Sequence, residues 1–168
     1  EQAKESVMTM KIKILSFLFM MPLMAQDVVH LWMDTPPHSK PNLLEESLIE
    51  SWGVPCAKNV TIPTLTIYRA QGEESGHAMI ILPGGGYELE SIVAEGQLIA
   101  ESLASHGIVV AVLKYRLPLF ASSDQPHLLP ITDVRQAIRL MKSMADDYGF
   151  EPTKVGLVGF SAGGHLAA

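Results

Sequence analysis

The sequence predicts an α/β fold built on a mostly parallel sheet flanked by helices, and three observations carry that prediction. Short apolar runs alternate with segments of helical periodicity from about residue 59 onward. Two of the runs, "IVVAVLKYRL" (108–117) and "KVGLVGF" (154–160), are apolar almost throughout rather than alternating, as in strands buried on both faces. Glycine-rich turns follow two of the strands, "PGGG" at 83–86 and "GFSAG" at 159–163. Ligands of open α/β sheets bind beyond the carboxyl ends of the strands, which is where these turns fall.

Each element has its own signal. Residues 27–58 include "DTPPHSKPNL", and proline suits neither a helix interior nor a central strand, so this stretch reads as an irregular lead-in along the surface. "NVTIPTLTIYRA" (59–70) alternates β-branched and polar residues, the pattern of a half-buried strand. "QGEESG" (71–76) is a turn, and "HAMIILPGGGY" (77–87) is a short apolar strand halted by Pro83 and three glycines. "SIVAEGQLIAESLASHG" (91–107) places Ile92, Ile99 and Leu103 on one helical face, with Gly107 as its stop. After the strand at 108–117 and a loop, "PLFASSDQPHLLP" (118–130), comes a helix over 131–150. There Ile131, Val134, Ile138, Met141 and Ala145 recur at spacings of three and four. The strand at 154–160 leads into "AGGHLAA", the start of another helix. Strands in this order require right-handed crossovers.

The N-terminus reads differently. "MKIKILSFLFMMPLMAQ" (10–26) has a basic start at Lys11 and Lys13, an apolar stretch from Ile14 to Met24 and a small Ala25. About 11 apolar residues are too few for the ~20 that cross a bilayer, so 10–26 reads as a secretory signal peptide. The expected protein is therefore secreted, periplasmic or extracellular, with no stable membrane association after cleavage. Residues 1–9 form an upstream extension. The net charge of −6, from 12 Lys+Arg against 18 Asp+Glu, comes without a basic cluster and gives no footprint for nucleic acid. The single cysteine, Cys56, excludes an intrachain disulfide and a multi-cysteine metal site, and reads as a structural residue.

Chemistry concentrates at the two glycine turns. Gly159-Phe160-Ser161-Ala162-Gly163 is G-x-S-x-G between a strand and a helix. A serine hydroxyl is a weak nucleophile and must be presented openly to a base. A sharp strand-to-helix turn does this, and it crowds the positions two before and two after the serine, where Gly159 and Gly163 remove the clash. The helix that follows aims free N–H groups and its positive dipole end at the turn. Gly84-Gly85-Gly86 frees the backbone to aim further N–H groups at a developing oxyanion. A phosphate loop is the rival reading, but neither G-K-[ST] nor G-x-G-x-x-G opening a helix is present.

"LPGGGY", "VLKYRLP", "DVRQAIRLMKS" and "VGLVGFSAGGHLAA", in this order and spacing, resemble the α/β-hydrolase carbohydrate esterases. These are the acetylxylan-esterase and feruloyl-esterase-like enzymes, related to the hormone-sensitive-lipase-type esterases. "VTIPTLTIY" is similar to that family's early strand, and the resemblance covers about 59–168. It implies Ser161 as nucleophile and the N–H groups of Ala162, Gly85 and Gly86 as oxyanion donors. It also implies an ester or acylated-carbohydrate substrate and no metal or organic cofactor. Where the family's glycine loop often starts with His, this chain has Pro83; the donors are backbone groups, so the chemistry is unaffected.

In this fold the triad acid and histidine follow the elbow in chain order. Residues 59–168 therefore read as the N-terminal part of a hydrolase domain, truncated after the elbow and expected to be inactive alone. Of the six histidines, His165 reads as a packing residue one helical turn past Ser161, and His127 is the one among those before the elbow expected near the mouth. Asp124 and Asp133 precede the nucleophile, and Asp133 reads as a carboxylate serving a helix N-terminus. Two other readings stay open. A serine peptidase of the prolyl-oligopeptidase type shares the elbow, and a non-catalytic interaction protein could use the same scaffold.

Overall fold

The computed structural model describes residues 26–168. Residues 1–25, and with them all of the expected leader except Gln26, lie outside the described residues. The main sheet has the order β1-β4-β7-β5-β8. Its strands are β1 (Gln26–His30), β4 (Thr64–Tyr68), β5 (Ala78–Leu82), β7 (Val109–Lys114) and β8 (Val155–Gly159). β7, β5 and β8 run parallel, while β4 is antiparallel to both β7 and β1. A small antiparallel sheet joins β2 (Ser47–Ser51), β3 (Val54–Lys58) and the two-residue β6 (Leu89–Glu90).

The apolar runs split by residue parity onto two faces. In β7, Val109, Ala111 and Leu113 join one core with Val134, Ala137 and Met141 of helix α2 (Leu128–Ser143). Val110 and Val112 join a second core with Ala100 and Ala104 of α1 (Leu98–Ala104). A strand with a helix on each face must be apolar at every position, so "VVAVL" shows no alternation. From β5 the chain crosses through α1 to β7 on one side, then through α2 and the short α3 (Ala145–Tyr148) to β8 on the other. β5 therefore sits where the crossovers diverge, and its carboxyl end is the switch point of the sheet.

The helix expected over 91–107 is divided. Ile92–Gln97 is a π-helical turn, with the Leu98 N–H donating to the Val93 carbonyl, and α1 follows. Gly96 in that turn lies against β7, and a Cβ there would stand 2.9 Å from Val112 Cγ1. The helix expected over 131–150 starts earlier, at Leu128, because Pro130 falls in its first turn, where a missing N–H breaks no intrahelical bond. It breaks at Met144 before α3.

The segment expected to be irregular, 27–58, is so only in its middle. β1 pairs along its whole length with β4, which is therefore an interior strand, and Leu65 and Ile67 enter one core while Tyr68 enters the other, so β4 is almost fully buried where a half-buried strand was expected. "SLIESWGVPCAK" is a hairpin whose tip, Trp52-Gly53, has φ of 54° and 75°, as a two-residue hairpin turn needs. Pro55 is tolerated in β3 because β6 reaches only Ala57 and Lys58 on that strand's other edge. Cys56 is fully buried, and burial pushes its thiol pKa up, in keeping with a structural residue.

Candidate active site

Strand register brings the two glycine turns together. Leu82, the last residue of β5, pairs with Gly159, the last of β8. The Phe160 N–H then donates to the Leu82 carbonyl (3.1 Å) and carries the pairing one residue into the elbow. Ser161 follows with φ 47° and ψ −115°, a left-handed conformation costly for a side-chain-bearing residue, and is exposed. Helix α4 (Ala162–Ala167) starts immediately after it. The Gly163 N–H returns to the Phe160 carbonyl (2.7 Å) and the His165 N–H to the Ser161 carbonyl (3.0 Å).

Both elbow glycines face backbone. A Cβ on Gly159 would meet the Gly163 carbonyl, and a Cβ on Gly163 would meet the Leu82 carbonyl and stand 2.6 Å from the Pro83 oxygen. The crowding expected two residues on either side of the serine is thus present, and its source on one side is the neighbouring strand end. Ala162 is the first residue of α4, so its N–H has no intrahelical acceptor.

The glycine loop lies against this elbow. A Cβ on Gly84 would stand 2.7 Å from the Phe160 oxygen, 2.8 Å from Glu95 Oε2 and 3.0 Å from Ser161 Cβ. The carbonyls of Pro83, Gly84 and Gly85 are engaged. Tyr115 Oη–H donates to the Pro83 oxygen (2.7 Å), Ser91 N–H to Gly84 (2.9 Å), and the N–H groups of Glu88 and Leu89 to Gly85 (3.1 and 3.2 Å). The Gly84 N–H donates to Glu95 Oε2 (2.7 Å). Gly85 and Gly86, at φ 140° and 65°, make no N–H hydrogen bond among the described residues.

The histidines need sorting. His165 is exposed rather than packed into the core, and Tyr87 from the loop meets it there. Tyr87 Oη lies 2.8 Å from His165 Nδ1, and the rings meet edge to face at 5.9 Å. His127 precedes α2 and lines a cavity of about 580 Å³ with Tyr87 and His165. The other walls of that cavity are mostly apolar, including Ile131, Val134 and Leu157, and Ser161 is not among its lining residues. Among the described residues, no histidine is hydrogen-bonded to Ser161; His77 and His106 bond the carbonyls of Ser75 and Ser102.

Asp133 does not serve a helix N-terminus. It lies on the buried face of α2 and accepts from Arg116 Nε (2.9 Å), Arg116 Nη2 (2.7 Å), the Arg116 backbone N–H (2.9 Å) and Trp32 Nε1 (3.0 Å). Both charges are buried, which is tolerable because the guanidinium is forked onto the carboxylate. Arg116 also donates to the Pro37 carbonyl and to Ser39 Oγ, so the pair fastens the proline-rich lead-in to the end of β7. Asp124 forms an exposed ion pair with Lys40 (2.6 Å).

Sequence reasoning passed over Glu90, Glu95 and Tyr115. Glu90 is fully buried, its Oε1 accepting the Tyr115 N–H (2.9 Å) while Oε2 has no partner among the described residues. Burial pushes its carboxyl pKa well above the usual carboxylate range, favouring the neutral acid, and burial likewise raises the Tyr115 phenol. The available signal was slight: Glu90 directly before the helical segment, and Glu95 beside Gly96 in its first turns.

Comparison with known proteins places this architecture. The chain is 38% identical over 94 residues to an acetylxylan esterase of Xylanibacter ruminicola, a match covering 56% of this chain and 18% of that protein. It is 31% identical over 105 residues to endo-1,4-beta-xylanase B of Butyrivibrio fibrisolvens, covering 62% of this chain and 16% of that one. Among solved structures, an acetyl ester-xyloside bifunctional hydrolase from Caldicellulosiruptor lactoaceticus superposes with a TM-score of 0.60 at 29% identity, over 84% of this chain and 44% of that one. The chain thus spans less than a quarter of these curated relatives and less than half of that structure. The BD-FAE family matches residues 65–168, more than half of the chain and all but the first residue of the stretch from β4 to α4, so the chain belongs to the BD-FAE family of α/β-hydrolase esterases.

Proposed function

We propose that the protein is a secreted serine carboxylic-ester hydrolase that removes acyl groups, acetyl foremost, from xylan-like polysaccharides or oligosaccharides. Ser161 Oγ attacks the ester carbonyl carbon while a histidine from outside the described residues takes the hydroxyl proton. The carbonyl oxygen becomes an oxyanion held by the N–H groups of Gly85, Gly86 and Ala162. Collapse of the intermediate breaks the bond to the sugar oxygen, which leaves with the histidine's proton. Water, deprotonated by the same histidine, then releases the acid and frees Ser161.

The observation that carries this reading is the pairing of Leu82 with Gly159. It sets a serine at φ 47° beside a loop whose Gly85 and Gly86 N–H groups have no acceptor among the described residues. The acylated-xylan assignment is supported by relatives named acetylxylan esterase and acetyl ester-xyloside hydrolase. Export is supported by the leader-like pattern at 10–26 and suits a polymer too large to enter a cell.

The test is hydrolysis of p-nitrophenyl acetate and of acetylated xylan by the full-length protein. Ser161→Ala is expected to lower kcat by at least about 10⁴-fold on both. Full activity in Ser161→Ala removes the assignment, and activity on p-nitrophenyl acetate without release of acetate from xylan removes the substrate.

A further inference from the structure

We propose that Glu95 and Tyr115 are positioning residues that fix the Pro83–Gly84 peptide and so aim the next two N–H groups of the loop, a role that rests on Gly85 and Gly86 being oxyanion donors. A single peptide plane is held here at both polar ends. Its carbonyl accepts the Tyr115 hydroxyl (2.7 Å), and its N–H donates to Glu95 Oε2 (2.7 Å). The two side chains come from opposite sides of the loop, Tyr115 from the end of β7 and Glu95 from the π-helical turn. In a trans peptide the C=O and N–H point in opposite directions. With the Pro83–Gly84 plane fixed and the Gly84 and Gly85 carbonyls tied to Ser91, Glu88 and Leu89, the N–H groups of Gly85 and Gly86 must point away from those partners. Glycine has no side chain to hold such a run, and φ of 140° and 65° in successive residues leaves it many alternatives. The orientation has to be imposed from outside.

Two further observations support the role of Glu95. It sits in a π-helical turn, a rare and less favourable geometry that recurs at functional positions. Glu95 Oε2 and Ser161 Cβ also border the same spot, 2.8 Å and 3.0 Å from where a Cβ on Gly84 would stand. A negative charge so near a developing oxyanion would oppose catalysis by itself. Its benefit must lie in the hydrogen bond it accepts, and that separates an acceptor from a charge in the experiment.

The experiment uses the full-length protein with Glu95→Gln, Glu95→Leu, Tyr115→Phe and Ser161→Ala, assayed on p-nitrophenyl acetate after titrating active serines. Glutamine keeps a carbonyl acceptor without the charge and is expected to hold kcat within about threefold of the unmodified protein. Leucine removes the acceptor and is expected to lower kcat about 10- to 100-fold with KM changed less than about twofold, short of the full loss of a donor. Tyr115→Phe, which removes only the hydroxyl, is expected to lower kcat about 3- to 10-fold. Affinity for a trifluoromethyl ketone, whose serine adduct carries the oxyanion, should fall in step with kcat/KM in both variants. A general loss of stability would not reproduce that parallel in titrated enzyme, and Tyr115→Phe decides the matter should Glu95→Leu fail to fold. Unchanged kcat in Tyr115→Phe and in any folded Glu95→Leu, or glutamine as damaging as leucine, overturns the proposal provided that Ser161→Ala is inactive. An active Ser161→Ala overturns the underlying assignment instead.

Discussion

At the end of β8 the chain turns against backbone alone, whereas at the end of β5 it turns against backbone and is held by side chains as well. Gly163 has the Leu82 and Pro83 carbonyls where a Cβ would go, and Gly159 has the Gly163 carbonyl. The neighbouring loop, Pro83 to Tyr87, is tied by Tyr115, Glu95 and His165, each from a different element. The elbow is thus fixed by what cannot fit; the loop shares that constraint at Gly84 and Gly85, is free of it at Gly86, and is fixed in addition by the side chains that reach it. A steric device has little latitude, because backbone cannot retreat without moving a strand. A device made of hydrogen bonds can be adjusted one group at a time.

The largest expected effect tests that difference directly. Gly163→Ala drives a methyl into two carbonyls and should cost more than about 3 kcal/mol, together with activity. Gly86→Ala meets nothing within 4 Å and bears only the penalty of φ 65°, about 1 kcal/mol. Urea midpoints of the two variants in the full-length protein give the comparison. Equal costs would mean that the elbow relaxes as readily as the loop.

This contrast also explains what was legible beforehand. Steric demands at the elbow leave a local mark, glycine at fixed offsets from serine, and β7 is apolar because helices cover both its faces. Both could be read from short windows around Ser161 and around 108–117. The supports of the loop leave no such mark. Glu95 finds Gly84 only because a π turn follows β6, and Asp133 finds Arg116 and Trp32 through folding that joins residues 101 apart. Proline content hid the hairpin at 47–58, because Pro55 is acceptable only where a third strand stops short, and that is a fact of the sheet rather than of the segment. His165 was misplaced for a related reason, since its partner Tyr87 comes from the loop and not from its own helix.

A second prediction concerns the cost of supporting the loop from the interior. Glu90 holds the Tyr115 backbone from a fully buried position, with its pKa raised chiefly by desolvation. Below the ordinary carboxylate range both the folded and the unfolded chain hold the proton, and stability is at its fullest. As pH rises through that range the unfolded chain releases the proton and the folded chain does not. Stability then falls by up to about 1.4 kcal/mol per pH unit, until Glu90 ionises in the fold as well. Glu90→Gln keeps an acceptor for the Tyr115 N–H and removes the titration. Its stability relative to the unmodified protein should therefore rise with pH above the ordinary carboxylate range in thermal melts. A constant difference there would show that the carboxyl ionises in the fold as freely as in water.

The smallest effect lies at the nucleophile itself and separates strain from chemistry. Ser161 is held at φ 47° and ψ −115°, where a residue with a Cβ is strained by about 1–3 kcal/mol. Ser161→Ala removes the hydroxyl and keeps the Cβ, so it keeps the strain. Ser161→Gly removes both, at an added unfolded-chain entropy cost of about 0.4–1 kcal/mol. The glycine variant should therefore be more stable than the alanine variant by about 1 kcal/mol, with both inactive on p-nitrophenyl acetate. Denaturant midpoints of the pair measure this without reference to catalysis. A glycine variant no more stable than alanine would mean that the turn is not strained at the serine, and that Gly159 and Gly163 alone relieve the crowding of the elbow.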